Sequence, residues 1–165
     1  MRVLVAYGSK RGGTEGIARM IGSALTDAGI DAEVRPARDV RSVAVCDAVV
    51  VGGALYAFRW HRDARRFVKR HHSELRRLPV WLFSSGPLDD SARTREIPPV
   101  KQVDRLIGLI GARGHATFGG RLGADAKGFP ASAMAKKNAG DWRDEARIRE
   151  WARGIADELR RAAAA

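Results

Sequence analysis

Apolar residues fall along the chain in short unbroken runs, separated by longer segments in which they recur every three or four positions. The runs lie at 2–7, 47–52, 79–84 and 115–118, with a weaker one at 31–36, Asp-Ala-Glu-Val-Arg-Pro. Val49, Val50 and Val51 stand side by side, so both faces of that strand must be covered, as in a parallel sheet. Helical spacing marks 13–28, 62–77, 99–112 and 141–161. Val103, Leu106, Ile107 and Ile110 form the stripe of the third, and Ile148, Trp151, Ile155 and Leu159 that of the fourth. Gly29 is placed to end the first helix and Asp141 to cap the last. Strands and helices alternate over short connections, with no linker or internal repeat. This predicts one α/β domain over 1–161 and a frayed tail at 162–165. Right-handed parallel crossovers need helices on both faces, so the expected fold is a doubly wound, five-stranded parallel sheet.

Composition narrows the chemistry. With 165 residues the chain can fill a three-layer core. Its one cysteine, Cys46, cannot form an internal disulfide, and its four histidines show no metal-ligand spacing, so no metal is expected. The longest uncharged apolar stretch, 48–58, is too short to cross a bilayer. The chain begins directly on a strand pattern, which reads as a soluble cytoplasmic protein. The net charge is +11, concentrated in the segment 62–77: Arg62, Arg65, Arg66, Lys69, Arg70, Arg76 and Arg77 oppose only Asp63 and Glu74. A solvated basic face explains this. So does a surface for an acidic redox partner protein, a small anionic substrate or an anionic membrane, which would place the protein at the membrane's inner face. No nucleic-acid-binding motif accompanies the charge, which argues against DNA or RNA. Nothing fixes the oligomeric state.

The turn after the first strand carries most information. Gly8-Ser9-Lys10-Arg11-Gly12-Gly13-Thr14 joins a strand to a helix N-terminus through small and hydroxylated residues, an arrangement suited to a phosphate. It is not a Walker A loop, because Thr14 stands where the lysine is required, and no G-x-G-x-x-G is present. Tyr7-Gly8-Ser9 also lacks the paired acids of a metal-binding receiver site. A tight turn without a ligand is the simpler alternative. YGSKRGGTE resembles the phosphate loop of flavodoxins, though Lys10 and Arg11 stand where that family carries small or hydroxyl residues. The resemblance spans the chain. It implies strand order 2-1-3-4-5, FMN as cofactor, and a crevice at the C-terminal ends of strands one, three and four. Ser9, Lys10, Arg11, Gly12, Gly13 and Thr14 would then hold the phosphate.

Two further loops end on the same edge. Gly53-Ala54-Leu55-Tyr56-Ala57-Phe58-Arg59-Trp60-His61 is unusually aromatic for a loop. Ala54, Leu55 and Tyr56 are expected at the flavin, with Tyr56 stacking and Phe58 and Trp60 as a second wall or as packing beneath the next helix. Ser84, Ser85, Gly86 and Pro87 match the position where flavodoxins set backbone amides against the ring. Arg121, after the fifth strand, would reach the flavin, a second substrate or solvent. His61 is the one titratable residue placed near the crevice, and no catalytic residue is assigned. VVVGGALYAFRWHRDARRFVKRHHSELRRLPVWLFS and GDWRDEARIREWARGIADEL are also similar to the menaquinone-dependent protoporphyrinogen dehydrogenase branch of this family. That branch has a longer insertion where this chain has 123–140, with Phe129, Met134, Lys136 and Lys137. The resemblance thus implies an FMN-dependent oxidoreductase of protoporphyrinogen dehydrogenase type, whose substrate would be a porphyrinogen. A non-catalytic electron-transfer protein, or a binding module that has lost FMN, are the alternatives.

Overall fold

A computed structural model describes residues 1–10, 12–122 and 140–165. Five strands form a parallel sheet: β1 (Arg2–Gly8), β2 (Asp31–Pro36), β3 (Ala48–Tyr56), β5 (Val80–Ser85) and β6 (Gly114–Phe118). Their order is β2-β1-β3-β5-β6, with the two-residue β4 (Arg59–Trp60) hydrogen-bonded antiparallel to the far end of β3. Setting β4 aside, this is the 2-1-3-4-5 order. A second small ladder pairs β7 (Arg121–Leu122) with β8 (Gly140–Asp141).

Unbroken apolar strands let the sheet bury both faces. Val3, Val5, Trp81 and Phe83 point toward α1 (Gly13–Asp27) and the terminal α6 (Glu145–Ala164), where Ile17, Ile21, Ile148 and Ile155 meet them. Leu4, Ala6, Val49, Val51 and Leu82 point the other way. There they pack on α2 (Arg62–Arg70), α3 (His72–Leu75) and α5 (Lys101–Ile110) through Phe67, Leu75, Val103 and Leu106. A four-residue α4 (Ser91–Thr94) precedes α5. No helix among the described residues is long and apolar enough to cross a membrane.

Several boundaries differ from those read off the sequence, each for a local reason. The third strand does not end at Gly52 but runs to Tyr56. The Gly52-Gly53 pair is a packing device there: a Cβ at Gly52 would collide with the Phe83 ring, and one at Gly53 with the Trp60 indole. The basic segment is two helices, because the His72 ring takes the Lys69 carbonyl (2.8 Å) in competition with the backbone. Bonds from His71 N to Phe67 O and Leu75 N to His71 O keep the buried stripe aligned across the break. The last helix starts at Glu145, capped by Asp144, whose carboxylate accepts from Arg147 N (3.2 Å). Asp141 is instead part of β8. The expected frayed tail continues the helix to Ala164, as consecutive alanines favour.

Candidate functional site

The register brings the strand ends level. Gly8 pairs with Gly53, Gly53 with Ser84, and Ser84 with Thr117, so four connections leave the sheet at one height. Their contacts form a circuit. A Cβ at Gly86 would lie 2.9 Å from Leu55 Cβ, so the turn after β5 abuts the β3–β4 hairpin. Gly86 N bonds to Phe118 O (3.2 Å) and Gly120 N to Pro87 O (2.9 Å), tying that turn to the one after β6. Arg121 then closes on the first turn of α1: a Cβ at Gly13 would lie 3.3 Å from both its backbone N and O.

The first turn of α1 starts without a side-chain cap. Gly12 takes φ 79°, a left-handed conformation that suits glycine. Helix geometry leaves its leading N–H groups without intrahelical acceptors. Ser9 Oγ accepts from Gly12 N (3.2 Å), folding the loop back on itself, and Thr14 is buried. Glu15, the acid of this first turn, is held by the Tyr7 hydroxyl and by Arg19, each at 2.9 Å. The Tyr7 bond, then that of Arg19, keeps its carboxyl below the ordinary range. Burial, followed by this bond, raises Tyr7.

Flavodoxin domains match residues 4–131, more than half of the chain. The chain belongs to the flavodoxin domain family. The solved flavodoxin of Pseudomonas aeruginosa, in a cysteine-to-serine mutant form, is similar at 18% identity and a TM-score of 0.61, over 97% of this chain and 99% of that one. The Streptococcus pneumoniae TIGR4 flavodoxin gives 17% identity and 0.61, over 96% and 99%. The rubredoxin oxygen:oxidoreductase of Desulfovibrio gigas gives 13% and 0.68, with 99% of this chain spanning 37% of that one. No curated protein matches significantly.

FMN is the cofactor of the family, and the chemistry of this turn fits its phosphate: no side chain caps the helix, glycine stands at its start, and the Glu15 carboxylate is already engaged by Tyr7 and Arg19. Lys10 is exposed beside the loop, and Arg11 lies outside the described residues. The other sites read from sequence divide in two. Ala54 is buried, Leu55 is half-buried against Gly86, and Tyr56 is 39% exposed on the hairpin. Phe58 is exposed at the turn. Trp60, however, belongs to the core: it is 1% exposed, packs against Gly53, and its backbone N donates to Gln102 Oε1 (2.7 Å). As a fully buried ring it cannot serve as a second wall. Ser84 and Ser85 are also buried, and Ser84 Oγ lies 3.0 Å from His115 Nε2, so these side chains are not presented outward at that strand end.

His61 is a structural residue. Its Nδ1 accepts from Asp63 N (3.1 Å) and caps α2, and burial lowers its pKa. Arg121 has its backbone against Gly13 of α1 and its Nε 4.0 Å from Asp141. The sequence reading missed the group behind it. Asp141 accepts from Arg143 N, Nε and Nη2 at 3.0, 2.9 and 2.7 Å, and the Arg143 guanidinium lies over Gly16 of α1. The Arg143 side-chain bonds hold the Asp141 carboxyl below the ordinary range. The Asp141-Trp142-Arg143 triplet was visible, but only the β7–β8 pairing and the Arg143 contact with Gly16 place it against α1.

Proposed function

We propose that this chain is an FMN-dependent oxidoreductase, with the phosphate on Ser9–Thr14, the ring edge against the backbone of Gly86 and Pro87, and Tyr56 against the ring face. One observation supports the placement above others: the unbroken contact circuit from the hairpin through Gly86, Pro87 and Gly120 to Arg121 and Gly13. FMN supplies the one- or two-electron chemistry when bound. The chain's own residues bind and orient it. The uncapped helix start and the glycines of the Ser9–Thr14 loop favour a phosphate, and Gly86 keeps the turn after β5 slim where the ring edge would lie.

The finer reading, activity of the protoporphyrinogen dehydrogenase kind, rests on the sequence likeness around the hairpin, α2 and α6. A second reading is an electron carrier for a partner protein. The end-to-end likeness to single-domain flavodoxins favours that one.

The placement is tested by titrating the apoprotein with FMN and riboflavin. FMN is expected to bind at least about tenfold more tightly, since the loop donors lose their acceptor when the phosphate is missing. Gly12→Val should erase most of that difference, because a β-branched residue is strained at φ 79°. Equal affinity for the two flavins in the wild type would remove the phosphate-loop assignment.

A further inference from the structure

At the end of the sheet, β6 hydrogen-bonds only to β5 among the described residues. A groove of about 260 Å³ runs beside it, lined on the α6 side by Arg147, Glu150 and Trp151, with Glu96 also in its wall. The buried stripe of α6 is Ile148, Ala152, Ile155, Ala156 and Leu159. On one side of that stripe the helix is tied to α1 and its end, through Arg149 to Asp27 and Ser23 and through Arg160 to the Ala28 carbonyl. On the other side Arg147, Trp151, Gly154 and Glu158 recur at intervals of four, three and four residues. That spacing sets them on one flank, the flank that meets the groove.

None of the four is fully used within the chain. The Arg147 guanidinium makes no hydrogen bond or ion pair among the described residues, and its Nη1 is buried in that state. Glu158 is exposed and forms no ion pair there either. The two are eleven residues apart, about 16 Å along the helix, too far to pair with each other. Trp151 is held edge-on to Phe83 and Phe118, with ring centroids 6.2 and 5.6 Å away, yet is only partly buried. Gly154 stands in the interior of a 20-residue helix, where only proline is less favourable, and nothing lies within 4 Å of where its Cβ would be. The chain itself has no need of a glycine there.

A second copy would. Arg147 and Glu158 lie equally far from the midpoint between Ala152 and Arg153, and so do Trp151 and Gly154. Another α6 laid antiparallel across that midpoint sets Arg147 against the partner's Glu158 and Trp151 against the partner's Gly154. Two-fold symmetry makes each contact twice. Cation meets acid, and a large ring meets the residue with no side chain, which lets the helices approach closely. Charge also singles out this face. Two chains of net charge +11 repel each other over most of their surface. Here one arginine, Arg147, is accompanied by Glu96, Glu150 and Glu158, so that repulsion is locally removed.

We propose that the chain self-associates as a two-fold dimer through this flank of α6. The assembly does not rest on the cofactor reading above. About three turns of helix and one groove make a small interface, so the dimer is reversible and concentration-dependent.

Sedimentation equilibrium of the full chain over a wide concentration range tests this. The wild type should pass from the mass of one chain toward that of two. Glu158→Arg and Arg147→Glu should each weaken the dimer at least about tenfold, because each sets like charges in contact twice. Mixed in equal amounts, the two variants should recover it, since their heterodimer restores both opposite-charge contacts. Gly154→Leu should also weaken association at least about tenfold while its Tm does not fall, because leucine favours a helix and the single chain has open space there. Should Arg147→Glu fail to fold, Glu158→Arg and Gly154→Leu, both at exposed positions, decide the matter. A wild type that stays monomeric to its solubility limit would overturn the proposal. So would a dimer that survives Glu158→Arg and Gly154→Leu, or one that the mixed variants do not recover, since either would put the interface elsewhere.

Discussion

Tyr56 and Trp60 are four residues apart, yet antiparallel pairing sends them to opposite faces: Tyr56 lies across from Arg59, and Leu55 from Trp60. Tyr56→Ala should therefore loosen FMN and raise flavin fluorescence, on the scale of about 1–3 kcal/mol known for aromatic stacking on bases. Trp60→Ala should instead cost about 3–5 kcal/mol of folding stability, as buried aromatics do. Fluorescence titration and denaturant unfolding of both variants check the pair, and a flavin effect confined to Trp60→Ala would reverse the assignment. His115 gives a pH effect. Burial lowers its pKa from 6.5 to about 4 in the folded chain. Between those values the unfolded chain binds the extra proton, so stability is full above about pH 6.5, falls as the pH drops toward 4, and levels off below. Urea midpoints at pH 7 and 4.5 should differ less for His115→Asn than for the wild type; His61, also lowered by burial, keeps a residual slope in both. The sequence showed three aromatics and a histidine near one edge. It could not show which side of a hairpin each would take, because register is set by the turn.

The hairpin itself was hidden at the level of elements. Gly52-Gly53 read as the end of a strand, whereas the glycines admit the Phe83 and Trp60 rings and let the strand continue. Its two-residue turn places both Ala57 and Phe58 at positive φ, the geometry for which Asn-Gly is favoured. Ala57→Asn with Phe58→Gly should accordingly stabilise the fold by about 1 kcal/mol or more, seen as a higher Tm. A lower Tm would mean that the turn is not strained. The five main strands and their alternation with helices were legible because uninterrupted valine and leucine runs permit few alternatives. The break at His71 and the start of α6 at Glu145 were not. Both depend on a single side chain, His72 or Asp144, choosing a backbone partner.

Across the whole molecule, the net charge of +11 bears on redox tuning. Lys10, Arg59 and Arg121 follow β1, β3 and β6 on the sheet edge proposed for the cofactor, with Asp89, Asp90 and Asp141 as the acids of the same connections. A unit charge about 10 Å away at an effective dielectric near 20 contributes roughly 1.5 kcal/mol before screening. The second one-electron potential of bound FMN should therefore be less negative than in acidic flavodoxins, and Arg59→Glu should lower it. Potentiometric titration reads both, and an unchanged potential in the variant would place Arg59 in open water. The convergence of loops on one edge was legible from strand order, but the lateral ties were not, since they join residues far apart in the chain. One such tie governs synthesis. The glycine face of α1 at the phosphate loop is covered by Arg121 and Arg143. At about 5–20 residues per second, the ribosome needs on the order of ten seconds to go from Thr14 to Arg143. Until then the nascent chain carries the first turn of α1 without these contacts, and on the placement proposed above the phosphate site is complete only when nearly the whole domain has emerged.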